Sequence, residues 1–200
     1  MPIIQQQPLG AGRVVWLGVN TERGTFSHAR HMVTIGYEGI VGDMYCGRWR
    51  EIASHDVDYI ATDGIAKGDT VLNHRQITIV DVHEVRKAGV DVDVTFEPGM
   101  LRENIGVEYV PHTSSTVSFS KLPQQSRMVL GTSDPKVLIL TEENGPCRTI
   151  ARPIAMHLGC PDDQRLIDSL NHRRGQMAMV RSFKSKDIYI GDTFKIFPPM

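Results

Sequence analysis

The sequence has few cysteines and few aromatic residues, and it carries almost no net charge. Its three cysteines, Cys46, Cys147 and Cys160, are too few and too irregularly spaced for a disulfide scaffold or a CxxC zinc site. An aromatic content of 6% leaves little material for stacking nucleic-acid bases. A formal net charge of -1 gives no electrostatic attraction to nucleic acid or to an anionic membrane surface. We therefore expect neither nucleic acid nor a membrane as a partner.

Long hydrophobic runs are also missing. No apolar stretch approaches the roughly 18 residues that a membrane helix needs, and residues 1–10 lack the basic start and apolar core of a signal peptide. An odd number of cysteines without an export signal is typical of the reducing cytoplasm, which is the expected location. The 200 residues, 40% of them hydrophobic, suffice for one globular domain, and no linker divides them. We predict a single domain over residues 1–200, with its core at about 14–197.

Short apolar segments recur along the chain, with few helical runs between them. Such spacing predicts a mainly β fold of the α+β class, built as a barrel or a sandwich. The clearest strands are predicted at 76–81 and 137–140, and helices at 149–158 and 161–172. Valine alternates with polar residues from 90 onward, and this period of two predicts a further strand over 90–96.

Residues 44–72 show little periodicity. A stretch of this length without regular pattern is uncommon inside a compact domain unless it is functional or has some structure of its own. We interpret it as an inserted flap with a short helix near 48–54. It is either a lid over a site or a surface excursion.

The segment 141–149 contains the residue with the clearest chemical potential, Cys147. It follows an apolar strand and precedes a helical run that ends at Gly159, so Cys147 is predicted at or near a helix N-terminus. Unpaired N–H groups and the helix dipole at such a position favour a thiolate, and Arg148 acts in the same direction. Cys147 is therefore a candidate nucleophile, sulfur carrier or soft-metal ligand. The alternative is a small apolar core residue.

Three further clusters could bind an anion. Arg75 stands at the start of the best strand, where a guanidinium can hold an anion through two hydrogen bonds. Arg102 and Asn104 are two residues apart on an extended segment and would project to the same side. Arg174 belongs to the basic run 172–174 after the second predicted helix. The alternatives are a charged strand end, a polar turn and the C-terminal end of a helix, respectively.

Several well-known sites have no match. The sequence lacks GxGxxG after a strand, a Walker loop, HExxH and GxSxG. Its eight histidines are scattered, so a zinc or iron site is not expected.

An ordered set of short segments resembles the MOSC family, named after the C-terminal domain of molybdenum cofactor sulfurases. The segments are 39–43, 73–80, 102–105, 145–147, 174–175 and 190–192. The chain looks like a stand-alone bacterial member without the cysteine-desulfurase domain, so pyridoxal phosphate is not expected. Tyr45 stands where many members have a histidine.

The resemblance implies a β-barrel of the pyruvate-kinase-insert type that binds the molybdenum cofactor. Cys147 matches the family's cysteine, which implies a catalytic residue that ligates molybdenum or carries a persulfide. Arg102 and Asn104 match an Arg-x-Asn-Ile segment that holds the cofactor, and Arg75 matches an arginine at the start of the central strand. Since the cofactor carries a phosphate, Arg148 and Arg174 are further candidates to grip it.

Three hypotheses follow from this resemblance. The first is a molybdenum-dependent reductase of N-hydroxylated small molecules; it needs a separate reductase as electron donor, because the chain has no flavin, nicotinamide or iron–sulfur motif. The second is a sulfur carrier that takes a persulfide on Cys147 from a cysteine desulfurase. The third is a ligand-binding barrel without catalytic activity.

Overall fold

The computed structural model describes residues 6–52, 64–112, 116–131, 134–160, 163–181 and 184–200. The strands are β1 (Gly10–Val19), β2 (His28–Ala29), β3 (Met32–Gly36), β4 (Gly39–Ile40), β5 (Trp49–Glu51), β6 (Thr70–Leu72), β7 (Ile77–Asp81), β8 (Ile105–Pro111), β9 (Arg127–Leu130), β10 (Lys136–Glu143), β11 (Gln176–Val180), β12 (Lys186–Tyr189) and β13 (Thr193–Phe197). The helices are α1 (Val82–Val92), α2 (Arg148–Leu158) and α3 (Asp163–Leu170), with a 3-10 turn at Phe119–Lys121. The predicted α+β class, mainly β with a few helices, is confirmed for this part of the chain.

Seven of the strands close into a barrel. Their order is β13-β9-β10-β11-β7-β8-β1, and β1 pairs with β13 to complete the ring. Ring neighbours are antiparallel except β7 and β8, which are parallel and are joined by a crossover that contains α1. Closure removes the exposed sheet edges that would otherwise pair with other chains. The barrel thus forms a rigid base for the loops and helices at its rim.

Two apolar clusters stabilise this arrangement. The first fills the barrel with alternate side chains of the strands, such as Val14, Ile77 and Leu138, each of them buried. The second holds α1, α2 and α3 against the outside of the barrel, with Ile154 and Leu166 at its centre. Burial of each such side chain contributes about 1.5–3 kcal/mol. The helices, including the one that follows Cys147, are therefore fixed to the barrel wall.

The strand predicted over 90–96 is wrong. Residues 90–96 were expected to form a strand, but α1 continues to Val92 and ends at Asp93, which adopts the left-handed conformation with φ 58°. Asp81 caps the start of α1, since its side chain accepts a hydrogen bond from the His83 N–H. The alternation of Val with Asp therefore lies partly on a helix whose buried face includes Ala88 and Val92.

The predicted flap at 44–72 contains a hairpin at its ends. Trp49–Glu51 pairs antiparallel with Thr70–Leu72, so the described part of the expected helix near 48–54 is extended instead. Residues 53–63 lie outside the described residues, and the lid interpretation depends on them. No helix among the described ranges is long and apolar enough to cross a membrane.

Candidate functional site

Cys147 lies at the junction between β10 and α2, as the sequence predicts. It is the N-cap of α2, with extended backbone angles (φ -148°, ψ 164°), and its carbonyl accepts the N–H groups of Ile150 at 3.0 Å and Ala151 at 2.9 Å. Its side chain is exposed and makes no capping hydrogen bond. The core-residue alternative is therefore wrong, and the sulfur is accessible to a ligand.

Arg174 is the charged group most closely associated with this turn. Its side chain is only 7% exposed; Nη1 donates to the Gly145 carbonyl at 2.6 Å and Nη2 to the Leu101 carbonyl at 3.4 Å. Burial lowers the pKa of Arg174 to about 10, and the charges of Cys147 and Glu103 partly oppose that shift. Its Nε is buried and has no hydrogen-bond partner among the described residues. A cation with one unused donor thus stands beside the thiol.

Gly175 explains why Arg174 can reach this position. It has φ 86°, and a Cβ there would lie 1.9 Å from the Ile79 carbonyl oxygen, so no larger residue fits against β7. Its carbonyl accepts the Asn144 N–H at 2.9 Å, which links the arginine segment to the segment that leads to Cys147. The buried side-chain Nδ2 of Asn144 also lacks a partner in the described structure. Two buried donors therefore remain unused near this turn.

The side chain of Arg102 binds a backbone carbonyl in the first turn of α2. In an α-helix the Thr149 carbonyl would accept the N–H of residue 153, but that residue is Pro153 and has no N–H. Arg102 Nη2 donates to the Thr149 carbonyl at 3.2 Å instead. Arg102 itself is only 7% exposed and adopts φ 57°, a strained conformation for a residue other than glycine. Pro153 thereby leaves an acceptor that positions Arg102.

Glu103 introduces a buried acid beside these arginines. Its Oε1 accepts the Gly99 N–H at 2.6 Å, whereas Oε2 is buried and has no partner among the residues described. Burial raises the pKa of the Glu103 carboxyl, against the opposing effects of nearby N–H groups and of Arg174. The carboxyl is thus favoured in its protonated form relative to an exposed glutamate.

A cleft of about 670 Å³ runs along α2, and we call it the α2 cleft. Arg102, Arg148 and Arg152 line it, and none of these three forms an ion pair within the described part of the chain. Its apolar lining includes Phe26 and Met156. No acidic side chain lines it among the residues described. The α2 cleft is therefore positively charged and suits an anion.

Asn104 lies in an internal network. Its Oδ1 accepts the Thr78 N–H at 2.9 Å, and its Nδ2 donates to Asp43 Oδ2 at 2.6 Å and to the Gly18 carbonyl at 3.4 Å. Its amide is therefore engaged in joining β1, β7 and the turn at Asp43. Its predicted role as a cofactor ligand stays a prediction, and these contacts give it a structural role.

Arg75 is engaged with a carboxylate. Its Nε and Nη2 both donate to Glu142 on β10, which gives a two-point ion pair. Burial lowers the pKa of the neighbouring His74. The pair ties the start of β7 to β10, the strand that carries the chain to Cys147. Binding of a cofactor by Arg75 stays a prediction and would require competition with Glu142.

The basic run at 172–174 separates into three environments. His172 Nδ1 lies 2.9 Å from Glu143 Oε1, Arg173 pairs with Asp91, and Arg174 turns inward to Gly145. These residues therefore do not form one basic patch, and Arg174 alone joins Cys147. Of the six predicted site residues, the structure brings together four: Cys147, Arg102, Arg148 and Arg174.

Several site residues were not singled out from the sequence. Arg152 follows Arg148 by four residues, a spacing that places both on one helix face and could have been used. Glu103 lies between two predicted residues and Asn144 lies within the segment 141–149, but the burial of both is a tertiary property. Phe26 lies in an irregular segment, and its place in the α2 cleft left no signal in the sequence.

Comparisons with known proteins show the fold. No family model matches the chain, and no curated protein matches its sequence. The YuaD protein from Bacillus subtilis superimposes with a TM-score of 0.78 at 18% identity, over 95% of this chain and 97% of that one. YiiM from Geobacillus stearothermophilus gives 0.56 at 13% identity over 92% and 74%, and YiiM from Escherichia coli 0.50 at 10% over 94% and 71%. At these identities the likeness shows the fold alone, a mainly β barrel with a few helices.

Proposed function

We propose that this chain binds the molybdenum cofactor through Cys147 and uses it to reduce N-hydroxylated small molecules, with electrons from a separate reductase. The observation that best supports this proposal is the exposed Cys147 thiol beside the buried guanidinium of Arg174, whose Nε is unused. A thiolate next to a fixed positive charge is a suitable ligand for a soft metal.

The donor set is compatible with the cofactor. Among the described residues no group of three or more His, Cys, Asp and Glu side chains could hold a bare metal ion. Molybdenum in this cofactor brings its own dithiolene sulfurs, so it needs only one soft ligand from the protein, and Cys147 can be that ligand. The cofactor's phosphate is an anion, which Arg102 and Arg148 at the start of α2 would bind. Arg174 and Asn144 have buried N–H donors still available.

The chain's own residues have definable tasks in this proposal. When bound, the cofactor supplies the two-electron redox chemistry that the amino acids lack. Cys147 holds it at a point fixed by the barrel and α2, and Arg174 places a buried positive charge at the same turn. Arg102, fixed through Thr149, orients the anionic end. Electron supply falls to a partner, because the sequence has no flavin or nicotinamide motif.

A sulfur-carrier function is the second candidate, and the exposure of Cys147 favours it. A persulfide carrier must offer its sulfur to another protein, which a buried cysteine cannot do. Persulfide-specific labelling after incubation with a cysteine desulfurase and cysteine would reveal it. Labelling of the wild type and not of Cys147→Ser supports the carrier, and equal labelling of both excludes it.

Metal content tests the leading proposal. The wild type, Cys147→Ala and the control Cys160→Ala are purified from cells that make the cofactor, and molybdenum is measured by mass spectrometry. We expect close to one molybdenum per chain in the wild type and in Cys160→Ala, and a large loss in Cys147→Ala. A wild-type protein free of molybdenum would contradict the proposal.

A further inference from the structure

The α2 cleft begins at Arg148, the residue after Cys147, and continues along α2 away from that turn. Arg148, Arg152 and Met156 follow one another at intervals of four residues on α2 and line the same cleft. With a helical rise of 1.5 Å per residue, Arg152 lies about 6 Å and Met156 about 12 Å along the axis from Arg148. The part of the cleft near Arg152 and Met156 therefore lies one to two helical turns from the end assigned to the cofactor.

This distant part has apolar, flat walls. The Phe26 ring meets the His157 ring edge to face, with centroids 5.3 Å apart and an angle of 87° between the planes. Met156 is 77% exposed, so its thioether is accessible to a ligand in the cleft. Pro153 adds a further apolar surface. Such walls match a flat, apolar ligand, because aromatic rings and thioethers pack well on ring systems.

The charged side chains that line the α2 cleft are all positive among the described residues. A second cleft, of about 460 Å³, also has basic residues, Arg86 and Lys87, but the buried Asp81 and the half-buried Glu84 line it too. The α2 cleft has three arginines and, among the described residues, no acid in its lining. Its Arg152 is exposed and forms no ion pair within the described part of the chain. An accessible guanidinium without a carboxylate partner, in a cleft lined by no acid, points to an anionic ligand.

We propose that the part of the α2 cleft around Arg152 and Met156 is the substrate pocket, and that it selects flat apolar compounds bearing a carboxylate or a similar anionic group. The anion binds Arg152, and the apolar body lies against Phe26, Pro153 and Met156. The bound compound then points along α2 towards Cys147. This inference rests on the proposed function and names its substrate class.

Binding of simple probes to the full-length protein tests this assignment. Calorimetric titration with benzoate is compared with benzamide, which has nearly the same shape without the charge. We expect benzoate to bind at least about 10-fold more tightly, the usual range for a charge-assisted hydrogen bond. Arg152→Gln should abolish that preference, and Arg152→Lys should keep most of it because the charge remains. Arg86→Gln, in the second cleft, serves as the matched control and should change nothing.

Three results would overturn the substrate class: equal affinity for the two probes, no effect of Arg152→Gln, or an equal effect of Arg86→Gln. Molybdenum analysis of the same wild-type preparation reports separately on the proposed function. If the protein contains molybdenum but binds benzoate and benzamide equally, only the proposed substrate class is wrong. If it prefers benzoate but contains no molybdenum, the cofactor proposal is wrong and the proposed ligand class of the cleft is still supported.

Discussion

Replacement of Pro153 by alanine should stabilise the protein while loosening its candidate site. Pro153 is the sixth residue of α2, inside the helix, where it leaves the Thr149 carbonyl without a helical partner. Arg102 supplies that carbonyl with a donor at 3.2 Å. Pro153→Ala restores the missing N–H, which then competes with Arg102 for the same oxygen.

The expected change in the free energy of unfolding is one gain reduced by two smaller effects. Proline inside a helix is about 3 kcal/mol less favourable than alanine. Loss of the proline's restriction of the unfolded chain offsets up to about 1 kcal/mol of this gain. Because Arg102 already satisfies the Thr149 carbonyl, the new helical hydrogen bond adds less than its usual value of about 1 kcal/mol. We expect the free energy of unfolding to rise by about 1–2 kcal/mol.

Equilibrium urea unfolding followed by circular dichroism measures this change, and a double-mutant cycle with Arg102→Met isolates the cause. In the Arg102→Met background the Thr149 carbonyl has lost its donor, so Pro153→Ala should stabilise by about 1 kcal/mol more than it does in the wild type. An unchanged or lowered stability of Pro153→Ala, or strict additivity of the two substitutions, would refute the coupling between Pro153 and Arg102.

Three further predictions concern neighbouring residues. Asn104→Ala should lower the free energy of unfolding by about 2–3 kcal/mol in the same urea assay, since it leaves the buried N–H of Thr78 without its acceptor and removes one of the three donors to the Asp43 carboxylate; a loss below about 1 kcal/mol would contradict the internal network. Arg102→Gly should be about 1 kcal/mol more stable than Arg102→Ala, because φ is 57° at that position; equal melting curves would contradict this. Burial raises the pKa of Glu103 above its ordinary value of 4.5, so its contribution to stability is greatest below pH 4.5 and is lost as pH rises through the folded-state pKa. Stability curves at several pH values should therefore show Glu103→Gln gaining on the wild type as pH rises, and a constant difference would argue against a buried, shifted carboxyl.

Local patterns were sufficient for the framework of the fold. The β-branched run of β7 and the apolar start of β10 identify barrel strands, and Gly159 identifies the end of α2, where it adopts φ 64°. The prediction of a strand at 90–96 failed because the alternation of valine and aspartate has the period of two that is typical of a strand, yet part of it lies on α1. The capping of α1 by Asp81 and the packing of α1 against β7 and β8 favour the helix instead.

The candidate site was predictable only in part. Cys147 owes its position to a local strand–turn–helix pattern, which a sequence displays. The partners of polar side chains depend on contacts distant in sequence: Arg102 and Thr149 are separated by 47 positions, and Arg75 and Glu142 by 67. A sequence therefore identifies an arginine or an asparagine as a candidate ligand, but it does not reveal whether an internal partner already engages it.

X-ray absorption at the molybdenum edge tests most directly whether Cys147 is the metal ligand. The wild type and Cys147→Ser, both loaded with the cofactor, are compared for the number of sulfur atoms bound to molybdenum. We expect molybdenum in Cys147→Ser to have one sulfur neighbour fewer than in the wild type. An identical sulfur shell in the two proteins would show that Cys147 does not bind the metal.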